Sequence, residues 1–414
     1  MKYAVITFGC RVNQADSLAI EGELRSRGAA ATSPEDADVV VVNTCSVTAT
    51  ADQGARQTIR RVVRSNPDVR VIVTGCYATR RPNELRELPN VVRVVENAKK
   101  DDLVDLIASD VELCNDTACG TCDAHNDIGP CGRTLEPGVA GRTAFTLRVQ
   151  TGCDEQCSYC IIPKTRGRGR SRPLSDVLQD VEQVVSAGYK EIVVTGVHLG
   201  SYGRDLSDGT SLTVLVERLS AWPEKVLFRI SSLEPMDCTE ELISIAAESP
   251  RIAPHVHLPL QHASDEMLAA MRRPYRFSDY ARLVTRLHDA IPHASIGSDI
   301  IVGFPGESDR HFNEMRRALT ALPLTHLHVF PYSDRPGTEA AALTPKVNGS
   351  VIRDRGREIR AIGEAMSRRF KESQAGSVRQ ALTVDDGRSA VTDNYIKVRL
   401  DRQYPRNEWI DVRV

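Results

Sequence analysis

Three apolar runs in the first eighty residues each lead directly to a cysteine. "YAVIT" (3–7), "DVVVVN" (38–43) and "RVIVTG" (70–75) are followed by Cys10, Cys45 and Cys76. The runs are short, rich in valine and isoleucine, and lack polar alternation, the pattern of parallel strands buried on both faces. Helix-like stretches separate them: "QADSLAIEGELRSRG" with Gly28 as its stop, "ATADQGARQTIRRVVRS", and a third near 80–88. A fourth strand-like run, "VVRVV", covers 91–95. This βαβ rhythm predicts a small doubly wound parallel α/β domain over residues 1–110. The carboxyl ends of neighbouring strands then share one edge, so the three cysteines converge. Three thiolates can hold three irons of a 4Fe-4S cluster and leave the fourth iron open. A single cysteine is more often a small core residue, but recurrence at equivalent positions of successive βα units favours ligation.

A second set is denser. "TGCDEQCSYCIIPKTRGRGRSRP" (151–173) carries Cys153, Cys157 and Cys160, just after a predicted strand at 145–150. Zinc competes as the metal, yet structural zinc normally closes with four ligands. No histidine or cysteine lies close downstream to supply a fourth. Three ligands leave a position that a small molecule can fill. Lys164, Arg166, Arg168, Arg170 and Arg172 follow with no acid among them. Such a run is ordinarily a solvated loop, but next to this site it is also a candidate for RNA phosphate contact.

From residue 143 strands and helices alternate again. Strand candidates at 145–150, 190–197, 225–232, 255–260, 294–303 and 326–332 predict a partial (β/α)6 barrel over 139–374, with its chemistry at the carboxyl ends of the strands. A long basic helix covers 350–373 and reads as a solvated face. Residues 375–414 read as a small all-β module. Between the α/β regions, 111–138 is a polar, aperiodic linker holding Cys114, Cys119, Cys122 and Cys131. Their spacing fits a further cluster, a zinc site, or an insertion whose cysteines are incidental. Cys238, at a helix start, is assigned no role.

Composition limits the function class. With 41% hydrophobic and 26% charged residues, the chain is that of a soluble globular protein. No apolar run is long enough to span a membrane, and the N-terminus lacks the features of a secretion signal. A cytoplasmic location is therefore expected, where eleven cysteines point to metal or catalysis rather than disulfides. A net charge of −2 predicts no polyanion partner overall, and 5% aromatic residues leave little for base stacking.

The spacing Cys153-x3-Cys157-x2-Cys160 after a first barrel strand, with Tyr159 before the last cysteine, resembles the radical S-adenosylmethionine (SAM) superfamily. The N-terminal triad, the barrel and the C-terminal module together resemble its methylthiotransferase family over nearly the whole chain. "FGCRVNQADS", "NTCSVTATAD", "TGCYA", "TGVHLGSYG", "HVHLPLQHASDEMLAAMRR" and "DIIVGFPGE" carry the same resemblance, and "VTDNYIKV" is similar to the RNA-binding TRAM module. The resemblance implies two 4Fe-4S clusters and two SAM molecules. The barrel cluster would cleave SAM to a 5′-deoxyadenosyl radical; the N-terminal cluster would hold or supply sulfur. It also implies SAM contacts near Tyr159, Gly196, Glu234 and Ser298.

"GCRVNQADS" and "TGVHLGSYG" look most like the branch acting on N6-threonylcarbamoyladenosine beside the tRNA anticodon. The isopentenyladenosine branch and the branch modifying a ribosomal-protein aspartate are the alternatives; an RNA-binding iron–sulfur electron carrier is a remoter one. The implied partners are a tRNA anticodon loop, a donor such as flavodoxin or ferredoxin, and a sulfur source, with the chain acting as a monomer away from membranes. One departure stands out: Gln261-His262-Ala263-Ser264 replaces the family's usual Gln-Ser-Gly-Ser.

Overall fold

In a computed structural model, residues 1–110, 128–129, 133–134 and 143–414 are described; Cys114, Cys119, Cys122 and Cys131 lie outside them. The N-terminal runs form one parallel sheet. Its spatial order is Ala30–Ala31, Lys2–Thr7, Val39–Thr44, Arg70–Gly75, Val91–Val95. This is a doubly wound order, and strand order reverses between the first and second long strands.

The strand Val39–Thr44 is buried at every position. Val39 and Val41 pack with Ile20, Leu24 and Leu103 on one face. Val40 and Val42 pack with Ala55, Ile59 and Val62 on the other. Helices on both faces are why the strand reads as an unbroken apolar run. The helix Ala49–Ser65 starts where Thr48 Oγ1 accepts the Ala51 amide at 3.2 Å, satisfying an otherwise unpaired donor. The helix expected near 80–88 is two short ones, Cys76–Arg80 and Pro82–Arg86. Arg81 separates them in a non-helical conformation, as expected before Pro82.

The predicted barrel consists of two three-stranded parallel sheets. Phe145–Arg148, Glu191–Thr195 and Leu227–Ile230 form one; His255–His257, Ser295–Val302 and His326–Pro331 form the other. A single bridge, Phe228 to Ile252, continues the curve between them. Valine, leucine and isoleucine from these strands and their covering helices form one core. The long helix, Gly349–Gln374, packs Ile359 and Met366 into it. It is only partly the solvated face its charge suggests. Arg355 is buried, with Nη1 2.6 Å from Glu307 and Nη2 2.6 Å from Asp309.

The last four strands, Val378–Val384, Ser389–Thr392, Lys397–Arg399 and Trp409–Arg413, form an antiparallel sheet. No helix among the described residues is long and apolar enough to cross a membrane.

Candidate functional site

The N-terminal cysteines meet because adjacent strands end together. Thr7 pairs with Asn43, and Thr44 with Gly75. Cys10 then opens the helix Arg11–Ser26, and Cys76 is the first residue of its own helix. Two glycines make the approach possible. Gly9 has φ +95°, and a Cβ there would stand 2.6 Å from Cys45 Sγ. Gly75 has φ +99°, and its Cβ would lie 2.2 Å from the Thr44 carbonyl oxygen. Neither position tolerates a side chain without displacing the cysteine loops.

All three thiols are free and line one cavity of about 890 Å³. Burial pushes the Cys45 thiol up to about 12, and Cys10 and Cys76 act in the same direction. Such a thiol stays protonated until a metal displaces the proton. Arg166 is electrostatically coupled to Cys10 and Cys76. Three soft sulfurs beside a buried cation fit an anionic iron–sulfur cluster.

The second triad sits on a loop closed at its neck. Gln150–Thr151 pairs antiparallel with Arg170–Ser171, and the Cys153 amide donates to the Gly167 carbonyl at 3.1 Å. Ser158 fastens the far side: its amide donates to the Met271 carbonyl at 3.1 Å and its hydroxyl to the Ala270 carbonyl at 2.8 Å. Tyr159 packs with Met267, Met271 and Phe304. Two cations address the sulfurs. Arg273 Nη1 donates to Cys157 Sγ at 3.2 Å. His198 Nε2 is 2.7 Å from Asp237. Burial alone would lower the His198 imidazolium, but hydrogen bonds to Asp237 and Cys153 hold it up at about 10. Burial raises the Cys160 thiol to about 12. Three free thiols with cationic donors on two of them again fit a cluster.

The other expected residues divide. Gly196 lines the cavity. Glu234 lies beside Cys157, ion-paired with Arg273. Ser298 is fully buried; its hydroxyl donates to the Leu258 carbonyl at 2.9 Å and accepts the Leu260 amide at 3.1 Å. That hydroxyl is committed to the barrel wall rather than free for a cofactor. His262, the departure from the family pattern, is also buried. Its Nδ1 accepts the Ser264 amide at 2.9 Å, and its Nε2 lies 3.6 Å from Glu307.

The basic run requires a correction. Arg166 is not on the surface: it is 8% exposed and its Nη2 lies 2.9 Å from Asp16 of the N-terminal domain. Arg172 is half-buried and paired with Asp180 at 2.5 Å. Lys164, Arg168 and Arg170 are exposed. Lys164 donates to the Gly337 carbonyl, and Arg168 meets Asp154 at 3.1 Å. The segment passes from the short helix Ile162–Arg166 through a left-handed turn at Gly167 into the strand Arg170–Ser171, so a run that reads as one charged stretch is partly an internal clamp.

Arg273 and His198 were not among the expected site residues, and neither was a histidine cluster in the cavity. Arg273 had a weak signal, a second arginine before the helix-breaking Pro274. The cluster had a stronger one. "HVH" (255–257) and "HLH" (326–328) each place two histidines on one strand face.

Residues 2–96 match the model of "Uncharacterized protein family UPF0004", and residues 147–319 match the "Radical SAM superfamily". The chain is similar to the threonylcarbamoyladenosine tRNA methylthiotransferase MtaB of Aquifex aeolicus, at 35% identity over 96% of both chains. It is 34% identical to the protein of that name from Bacillus subtilis, over 95% of this chain and 88% of that one. Among solved structures, the radical SAM methyltransferase TsrM from Kitasatospora setae matches with a TM-score of 0.59 and 19% identity, covering 82% of this chain and 76% of that one. At that identity the likeness concerns the fold alone.

Proposed function

The chain belongs to the radical SAM methylthiotransferase family, and from that premise we propose that it replaces the C2 hydrogen of N6-threonylcarbamoyladenosine, beside the tRNA anticodon, with a methylthio group. The observation that carries this reading is the pair of three-cysteine sites, of which the first lines the cavity and the second is followed by a segment that reaches it. Cys10, Cys45 and Cys76 line it directly; Ile162 and Arg166, from the segment following the second triad, line it as well. The near full-length similarity to two proteins named for that substrate supports the branch.

Cys10, Cys45 and Cys76 hold the sulfur-carrying cluster, and Cys153, Cys157 and Cys160 hold the one that binds SAM. With reduced cluster and SAM bound, that site supplies the one-electron cleavage needed to attack an unactivated C–H bond. Arg273 and His198 orient and polarise the thiolates of the second triad. Glu234 and Gly196 contact SAM, with Tyr159 packed beneath the loop. Lys164, Arg168 and Arg170 offer phosphate contacts that position an RNA loop. The reaction draws on a one-electron donor of the flavodoxin or ferredoxin kind and a separate sulfur source. The protein acts as a cytoplasmic monomer, and its C-terminal sheet is a TRAM-type module.

Mass spectrometry of tRNA nucleosides from cells with and without the gene tests the reading. Loss of the 2-methylthio derivative, with threonylcarbamoyladenosine accumulating, is expected. A change in the isopentenyl derivative instead would move the chain to the other tRNA branch, and no nucleoside change would overturn the RNA reading.

A further inference from the structure

Three adjacent strands of the second sheet each point one ligand-bearing side chain to a common place in the cavity. His257 ends one strand, Asp299 lies mid-strand in the next, and His328 stands directly opposite Asp299 on the third. His257 Nε2 is 3.1 Å from Asp299 Oδ1, and His328 Nδ1 is 3.3 Å from the same oxygen. One nitrogen from each histidine and a carboxylate oxygen all lie within 4.8 Å of one another, the one such group among the described residues.

From this geometry we infer that His257, Asp299 and His328 form a binding site for a single divalent transition-metal ion, separate from both cysteine triads. Two imidazoles and one carboxylate are a common donor set for such ions, and three protein ligands leave positions open. The histidine orientation supports it. His257 Nδ1 is 2.8 Å from Ser232 Oγ, which fixes the ring and aims Nε2 inward. That buried Nε2 has no hydrogen-bond partner; its approach to Asp299 is close but not angled as a hydrogen bond. The scaffold is three hydrogen-bonded strands rather than loops, which fixes the geometry.

The open positions face the cavity. A carbonyl or carboxylate oxygen would complete the coordination, and the threonylcarbamoyl group offers both. This second half rests on the tRNA reading.

Anaerobic titration of the cluster-loaded, full-length protein with Co²⁺ tests the site. Uptake of one ion is expected, with d–d absorption of nitrogen and oxygen ligation and no thiolate charge-transfer band. His328→Ala and Asp299→Asn should each weaken Co²⁺ binding at least tenfold with iron content retained. His328 is 57% exposed, so its replacement tests the site without a folding penalty. No cobalt uptake, a thiolate band, or equal binding by both variants would overturn the proposal. Adding the unmodified tRNA should then shift the d–d bands. Unshifted bands with tRNA demonstrably bound would overturn the substrate half alone. Absence of tRNA binding would count against the tRNA reading while the cobalt result stood.

Discussion

Arg166 reaches out of the segment behind Cys160 and places Nη2 2.9 Å from Asp16 Oδ2, in the helix that begins at Cys10. The pair thus links the segment after the second triad to the helix that follows Cys10 of the first. Lys100 Nζ adds a second contact to Asp16 at 2.9 Å, and Arg148 a third. Asn43 accepts from Lys100 at 3.1 Å and donates to the Asn13 carbonyl at 2.9 Å, tying the knot to the sheet.

Removing Asp16 strands two buried cations, Lys100 and Arg166, and frees the partly exposed Arg148. Asp16→Ala should cost about 3–5 kcal/mol, the usual penalty for breaking a buried ion pair. Thermal unfolding of the cluster-loaded protein measures it; a loss near zero would show that the knot does not hold the domains.

The same carboxylate sets a pH dependence. Burial would raise the Asp16 carboxyl, but Lys100, Arg166 and Arg148 outweigh it and hold the group well below its ordinary value of 3.8. A depressed folded value means that the stabilisation is complete above the unfolded value and lost as pH falls through the folded one. Stability should therefore decline below about pH 4, and Asp16→Asn should flatten that limb. An unchanged acid limb in Asp16→Asn would assign it to other groups.

Gly9→Ala sets a Cβ 2.6 Å from Cys45 Sγ in a left-handed backbone. Iron and sulfide analysis should show the iron content about halved, the N-terminal cluster being lost. Reductive formation of 5′-deoxyadenosine should persist. Loss of both together would mean that the two sites are not separately assembled.

Arg273→Met withdraws a cationic donor from Cys157. Hydrogen bonds and positive charge at cluster sulfurs raise the reduction potential, so the potential should fall and SAM cleavage should slow. Spectroelectrochemistry reads the first effect, and an unchanged potential would leave Arg273 as a partner of Glu234 and Tyr275.

If exposed arginines touch RNA, Arg168→Ala with Arg170→Ala should lower the slope of log affinity against log salt by about 0.7 per single-strand phosphate lost. An unchanged slope would remove them from the interface.

Much of this was legible in the sequence because periodicity and burial act locally. The valine run 39–44 announces a strand covered on both faces, and Cys10, Cys45 and Cys76 share an edge because parallel strands share a direction. What was not legible depends on contacts between distant segments. Nothing near Arg166 indicates that Asp16, 150 residues earlier, will take its charge. Ser298 is a strand-end polar residue in sequence, yet the backbone at Leu258 and Leu260 claims its hydroxyl. Arg273 becomes a thiolate donor through a helix break that brings it back to Cys157.

The turn at Asp393–Ile396 belongs to the C-terminal sheet, yet it forms part of the barrel wall. The Asp393 carbonyl accepts from buried Arg229, and Asn394 Nδ2 donates to the His293 carbonyl, each at 3.0 Å. The Tyr395 ring lies 4.5 Å from that of His255, and its hydroxyl accepts from Arg11 of the N-terminal domain at 3.0 Å. Tyr395, Ile396 and Lys397 line the cavity. The module is therefore a stopper as well as an appendage. Trimming it would give the cavity a second mouth, through which small thiols could reach a radical before the substrate does. A truncated enzyme would show this as wasted SAM turnover, even on an RNA that it still binds.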